Sequence, residues 1–211
     1  MINLLKIEWL KIKNYTAFIV MTLFFIVGVF ALNYIVFTVN KNIVNNVPGA
    51  GLVSFSPYDF ANTWQSTSYA TGFILLLPAL LLLMLFTNEY TFKTHRQNII
   101  DGLSRQQFIS VKIMMALIFA MAATLLVIIS ALIFGFGSGT AFSLNGFIFV
   151  GYFFLKALSY NLIAILFSVL VKRTGFAIGI FFIYLGSENI VSQLLNVLSM
   201  KLKSNKAAAL R

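Results

Sequence analysis

Five apolar runs, each long enough to cross a bilayer at ~20 residues per crossing, decide what this chain can fold into. They occupy most of its 211 residues and leave little else to build from. With 60% hydrophobic residues and a mean hydropathy of +0.95, the composition lies far outside that of soluble domains, which could not bury so much Phe, Leu and Ile. Lipid as solvent removes that difficulty. The expected fold is an all-α polytopic membrane protein: an interfacial helix over residues 1–14 and membrane helices over 16–37, 69–87, 108–136, 147–171 and 174–198. Together they form one transmembrane domain spanning 1–211.

The fifteen Lys and Arg give a net charge of +10, which in a soluble protein would suggest nucleic acid. Here they fall almost entirely between the apolar runs. Topology and anionic headgroups account for them, and no nucleic-acid partner is expected. Cysteine is absent, which excludes disulfides and thiolate metal sites. The apolar run after Thr16 lacks a small-residue cleavage pattern, so it should stay as an anchor.

In residues 1–14, Ile2, Leu5, Trp9 and Ile12 share one helical face, while Lys6, Lys11 and Lys13 can reach phosphate headgroups. Ile7 and Leu10 fall off that stripe, and a charged flank without structure is the alternative. Lys6, Lys11 and Lys13 before the first span, against Lys41 after it, place the N-terminus in the cytoplasm. Residues 38–56 then read as an outer loop. Ser56-Pro57-Tyr58-Asp59 reads as a helix start. Continued unbroken to Phe86, that helix would be about 45 Å long, with Trp64 and Tyr69 at or above the outer interface and a kink at Pro78. In the third span Ala116, Ala120 and Ala123 form a stripe where another helix can approach. Gly135–Gly139, GFGSG, reads as a flexible outer turn, since its spacing is not that of a phosphate loop. Lys172-Arg173 forms an inner turn, Thr174 is a candidate N-cap, and Gly175 and Gly179 make a GxxxG packing step.

Two ionisable residues lie inside the last two spans. Lys156 precedes Lys172 by sixteen residues and Glu188 follows it by sixteen, so both lie about 24 Å above that turn. Either they form an intramembrane ion pair in the outer half of the bilayer, or each snorkels separately to the outer interface. Five crossings from a cytoplasmic N-terminus would leave Lys201, Lys203, Lys206 and Arg211 outside, against the positive-inside tendency. A sixth helix missing from the C-terminus is the favoured explanation; incomplete crossing by the fifth is the other.

The densest charge lies in residues 88–112, NEYTFKTHRQNIIDGLSRQQFISVK, a cytoplasmic elbow between two spans. Glu89 to Ile100 can form a short helix, Asp101-Gly102 a stop, and Ser104 with Gln107 a capping box that opens the next helix. One His and five acids in the whole chain cannot build a convincing metal cluster or triad, and no Walker motif is present. His95, among Lys93, Thr94 and Arg96, reads as a solvated surface residue. No enzyme is expected.

Glu89-Tyr90, Thr94-x-Arg96, Ser104-Arg105, Phe108 and Lys112 resemble the pattern in permease subunits of ABC-2 type ABC exporters. In that family an acidic-aromatic pair follows the second membrane helix, then Gly-Thr-x-Arg, Pro-x-Ser-Arg, Phe and Lys. Lys93 stands where Gly is usual and Gly102 where Pro is usual. The layout is similar over the whole chain, the motif over about twenty residues. The resemblance implies six membrane helices and dimerisation, as homodimer or heterodimer, in the bacterial inner (cytoplasmic) membrane. It also implies two separate ATP-binding subunits that hold ATP and Mg, with no cofactor in this chain. The 88–107 elbow would dock on such a subunit, making Glu89, Tyr90, Arg96, Ser104 and Arg105 the coupling residues, with local stabilisation as the other role for Glu89 and Arg96. The substrate path would lie at the dimer interface, and the Phe-rich helices suggest an amphipathic or lipid-like substrate. Two rival functions remain: an ion-coupled secondary transporter using Lys156 and Glu188, and a non-transporting membrane anchor for a soluble complex.

Overall fold

A computed structural model describes residues 2–46, 58–94, 100 and 104–209, and among them every regular element is a helix. The order is α1 (Ile2–Lys13), α2 (Thr16–Asn46), α3 (Phe60–Gly72), α4 (Leu76–Thr91), α5 (Arg105–Gly137), α6 (Ile148–Val171) and α7 (Thr174–Ala209). Among the described residues four helices, α2, α5, α6 and α7, are long and apolar enough to cross a membrane, and α3 with α4 makes a fifth if counted as one bent span. Their outward faces carry exposed Leu, Ile, Val and Phe side chains along most of their length, as a lipid-facing surface requires.

The first span continues nine residues past 37, to Asn46, so the first part of the expected outer loop is helical. The second span is broken rather than merely kinked. Phe73–Leu75 separate α3 from α4, and the two axes differ by 42°. Pro78 accounts for the position: it lacks the N–H that would bond the Ile74 carbonyl four residues back, and its ring crowds that carbonyl. The Ile74 carbonyl instead accepts from Leu77 N at 3.1 Å. The helix start expected at Ser56-Pro57 falls outside the described residues, and α3 begins at Phe60 after Asp59, whose side chain makes no cap bond.

Since lipid is as apolar as the side chains, burial gives little drive between these helices, and close packing with a few hydrogen bonds must hold them. The alanine stripe of α5 meets that need. Ala116, Ala120 and Ala123 are all buried; Ala120 and Ala123 pack in one core with Ala157, Tyr160 and Ala164 of α6. The Ala116 carbonyl accepts from Asn161 Nδ2 at 3.1 Å. Gly175 and Gly179 do not behave this way: a Cβ built on either meets nothing within 4 Å. Among the described residues the expected GxxxG step is not a contact. Thr174 is likewise no cap; its hydroxyl bonds Thr87 Oγ1 of α4 at 3.0 Å.

At one end of the bundle α3 is pinned to the α5–α6 connection. Trp64 Nε1 donates to the Ser143 carbonyl at 2.8 Å, and Phe60 N–H to Thr140 Oγ1 at 2.9 Å. Gly135 and Gly137, expected in a flexible turn, belong to α5. Gly135 has to be small because a Cβ there would lie 2.9 Å from the Phe60 ring.

At the opposite end α4 runs through Glu89 to Thr91; of the elbow helix expected over Glu89 to Ile100, residues 95–99 lie outside the described residues, and Thr94 and Ile100 are helical. The α4 helix stops at Lys93, whose φ is +57°. That left-handed conformation costs an ordinary L-residue roughly 1–2 kcal/mol and glycine little, which explains why glycine is usual at this position in the related pattern. Lys93→Gly should therefore raise stability by about 0.5–1 kcal/mol, read as a higher midpoint of thermal unfolding in detergent. Lys93→Val should lower it, and a lower midpoint for the glycine variant would refute this account.

Candidate functional site

Both ends of the elbow are anchored by one cation. Lys112, two turns into α5, is 3% exposed. Its ammonium donates to Glu8 Oε2 of α1 at 2.9 Å and to Glu89 Oε1 of α4 at 2.5 Å. It also lies over the Phe86 ring at 4.5 Å and the Phe108 ring at 5.0 Å. Glu8 Oε1 in turn accepts from Lys11 Nζ at 3.0 Å. Two of the chain's five acids are thus neutralised by two lysines inside a largely apolar setting. Burial pushes the Glu8 carboxyl up, but the Lys112 and Lys11 ammonium groups outweigh it, and the group sits below the ordinary carboxylate range.

This cluster explains how α1 is oriented. The expected stripe of Ile2, Leu5, Trp9 and Ile12 does not face the protein as a set. Among the described side chains of α1, Glu8 and Ile12 are the buried ones, while Ile7 and Leu10 are more than half exposed and Trp9 nearly half. Trp9 packs edge-on against Phe18 of α2 at 5.8 Å, and Asn88 Nδ2 donates to Tyr15 Oη at 2.9 Å between α4 and the α1–α2 link. The helix turns an acid inward because a cation waits there.

Of the residues expected to couple to a partner, Glu89 faces the bundle and is engaged with Lys112. Tyr90 is half-buried beside it. Ser104 and Arg105 are exposed at the start of α5, where the expected capping box is formed: Ser104 Oγ accepts from Gln107 N at 3.2 Å and Gln107 Oε1 from Ser104 N at 3.1 Å. Arg96 and the Asp101-Gly102 stop lie outside the described residues. Phe92 and Ile100, exposed by 73% and 82%, add apolar surface to the elbow. The residue missed from sequence is Glu8, and its signal was a lone acid among the lysines of α1.

The second polar feature lies at the far end of the bundle. A cavity of about 610 Å³ opens between α3, α6 and α7, with Ser68, Tyr69, Tyr152, Lys156, Tyr160 and Glu188 among its walls. Lys156 and Glu188 do face one space, as their equal distance from Lys172 implied. They do not form the expected ion pair: no bridge between them lies within 4 Å. Tyr160 stands between, its hydroxyl donating to Glu188 Oε2 at 2.6 Å and its ring lying 5.4 Å from Lys156 Nζ. Tyr160 is one helical turn past Lys156, so it takes the place that a direct contact would need.

A family model described as ABC-2 family transporter protein matches residues 4–187. No curated protein and no solved structure matches the chain.

Proposed function

This chain belongs to the ABC-2 family of transporter proteins, and from that premise we propose that it is the permease of an ATP-driven exporter, worked through the elbow at 88–107 by a separate ATP-binding subunit. Membership of the family supports a transmembrane permease subunit in a multi-pass membrane setting. Export, the docking site and the stoichiometry are our reading: two ATP-binding subunits that hold ATP and magnesium, and a second permease copy. So is the setting in a bacterial cytoplasmic membrane with α1 on the cytoplasmic side.

The observation that carries the coupling is the Glu8–Lys112–Glu89 cluster. A force applied to a loop is lost if the loop bends. Here the last turn of α4 and the first turns of α5, which bracket the elbow, are joined to α1 by one buried ammonium. Displacing the elbow therefore moves three helices together, and ATP-driven closure of the partner would tilt them between inward- and outward-open arrangements. Glu89 acts on the bundle side of this lever. The partner-facing side is left to the exposed Arg105, Ser104 and Phe92, with Arg96 joining them as the resemblance implies.

The test is co-purification of an ATP-binding subunit with the tagged chain from native membranes. Arg105→Glu or Arg96→Glu should lower its recovery about tenfold, equivalent to roughly 1.4 kcal/mol. Lys41→Glu, at the other end of α2, should leave recovery unchanged. Undiminished recovery with both arginine variants would sink the docking assignment, and retained docking without substrate-stimulated ATP hydrolysis would favour a membrane anchor.

A further inference from the structure

Lys156 and Glu188 are an unusual pair to leave apart inside a membrane protein. An intramembrane charge costs several kcal/mol unless it meets a counter-charge or water, and the two could have met that need in each other. Instead the phenol of Tyr160 separates them while both still line one cavity. Lys156 has no carboxylate within 4 Å among the described residues; its ammonium lies over the Tyr160 ring and about 3.9 Å from where a Cβ on Gly72 would stand. Ser68, on the same wall and 8% exposed, has a hydroxyl with no hydrogen-bond partner. The cavity thus presents a cation and an anion on either side of one tyrosine, with an unused hydroxyl in its wall.

What complements this is a zwitterion whose two charges are close together. Depth and lining narrow it further. The charges lie about 24 Å from the Lys172 turn by helix rise, which is about 6 Å inside the far edge of a ~30 Å hydrocarbon core. Tyr69 and Tyr152, exposed by 75% and 59%, line the cavity and are of the amphipathic aromatic type favoured at the membrane interface. At about 610 Å³ the space falls within the range of small-molecule sites and accommodates a headgroup with its glycerol. We propose that this cavity binds the headgroup of an aminophospholipid of the leaflet opposite the elbow. Lys156 takes the phosphate and Glu188 the primary ammonium, with Tyr160 holding the Glu188 carboxylate in place. A quaternary choline cannot donate a hydrogen bond to Glu188, and a glycerol headgroup offers it no cation, so the site should select for ethanolamine.

The full chain, purified in detergent, is titrated with phosphatidylethanolamine, phosphatidylcholine and phosphatidylglycerol of equal acyl length, and bound lipid is counted by native mass spectrometry. Phosphatidylethanolamine should be retained about tenfold more tightly than the other two. Glu188→Gln should abolish that preference, and Lys156→Met should weaken both phosphatidylethanolamine and phosphatidylcholine. Thermal unfolding near the wild-type midpoint shows that each variant is folded; if either fails to fold, Tyr160→Phe, which frees the carboxylate, should still cut the preference several-fold. Soluble glycerophosphoethanolamine should not compete at equal concentration. Equal retention of the three lipids by the wild type, an unchanged preference in Glu188→Gln, or full competition by the soluble headgroup would each overturn the assignment.

Discussion

Lys112→Met should cost the fold roughly 3–5 kcal/mol, the largest loss expected from any single substitution in this chain. The methionine fills nearly the same volume, so packing against Phe86 and Phe108 survives. What is lost is the charge that Glu8 and Glu89 share, leaving two carboxylates in an apolar setting without the ammonium that bridges them. The variant should reach the membrane poorly, and what is recovered should unfold at a much lower temperature in detergent. The companion variant decides the cause. With Glu8→Gln and Glu89→Gln added, no net charge remains to be buried, and most of the stability should return. If the triple variant is as unstable as Lys112→Met, the loss comes from packing and the electrostatic account is wrong. The restored triple variant also separates folding from coupling. It should bind its ATP-binding subunit, yet show weaker substrate-stimulated ATP hydrolysis, because uncharged side chains hold the elbow less rigidly.

Asn33→Leu should cost about 2–3 kcal/mol although it makes α2 more apolar. Asn33 is wholly buried. Its Nδ2 donates to the Val29 carbonyl at 2.8 Å and to Thr71 Oγ1 at 3.2 Å, and its Oδ1 accepts from the Tyr58 hydroxyl at 3.2 Å. These bonds join α2 to the residues just before α3 and to its last turn, next to the break that precedes α4. Burial pushes the Tyr58 phenol up to about 12, so it remains a donor at any physiological pH. Hydrogen bonds between membrane helices are worth about 0.6–1.7 kcal/mol each, and leucine would also strand the buried Tyr58 and Thr71 hydroxyls. Thermal unfolding of Asn33→Leu, with Tyr58→Phe and Thr71→Val added as a second variant, checks this. The second variant should recover part of the loss, since nothing is then left unsatisfied. A cost below about 0.5 kcal/mol for Asn33→Leu would mean that the network is idle.

Several features were readable one residue at a time. The Ser104–Gln107 capping box involves groups three positions apart, so the sequence contains every atom that forms it. The alanine stripe at 116, 120 and 123 marks a close helix contact because small size at helical spacing is itself the requirement. The break before Pro78 follows from the missing bond to Ile74, four residues back; placing the kink at the proline put it one turn too late. Glu89 was legible as part of a pattern, but not its direction. As a coupling residue it was expected to meet a partner, whereas the continuation of α4 to Thr91 carries it toward Lys112.

Hydropathy, capping and proline breaks depend on near neighbours, and for that reason an all-helical membrane bundle with a charged elbow could be derived from the residues in order. Which side chains meet is a different kind of fact. Lys112 and Glu8 are 104 positions apart, and nothing local to either one states that it is buried. Lys156 and Glu188 share a depth because helix rise fixes it, but whether they touch depended on Tyr160 occupying the space between α6 and α7. Gly175 and Gly179 carry a packing motif that no helix among the described residues uses. In each case the outcome rests on how the helices rotate about their own axes when they pack. That rotation is set by the whole bundle at once, since in lipid no hydrophobic gain points any one face inward.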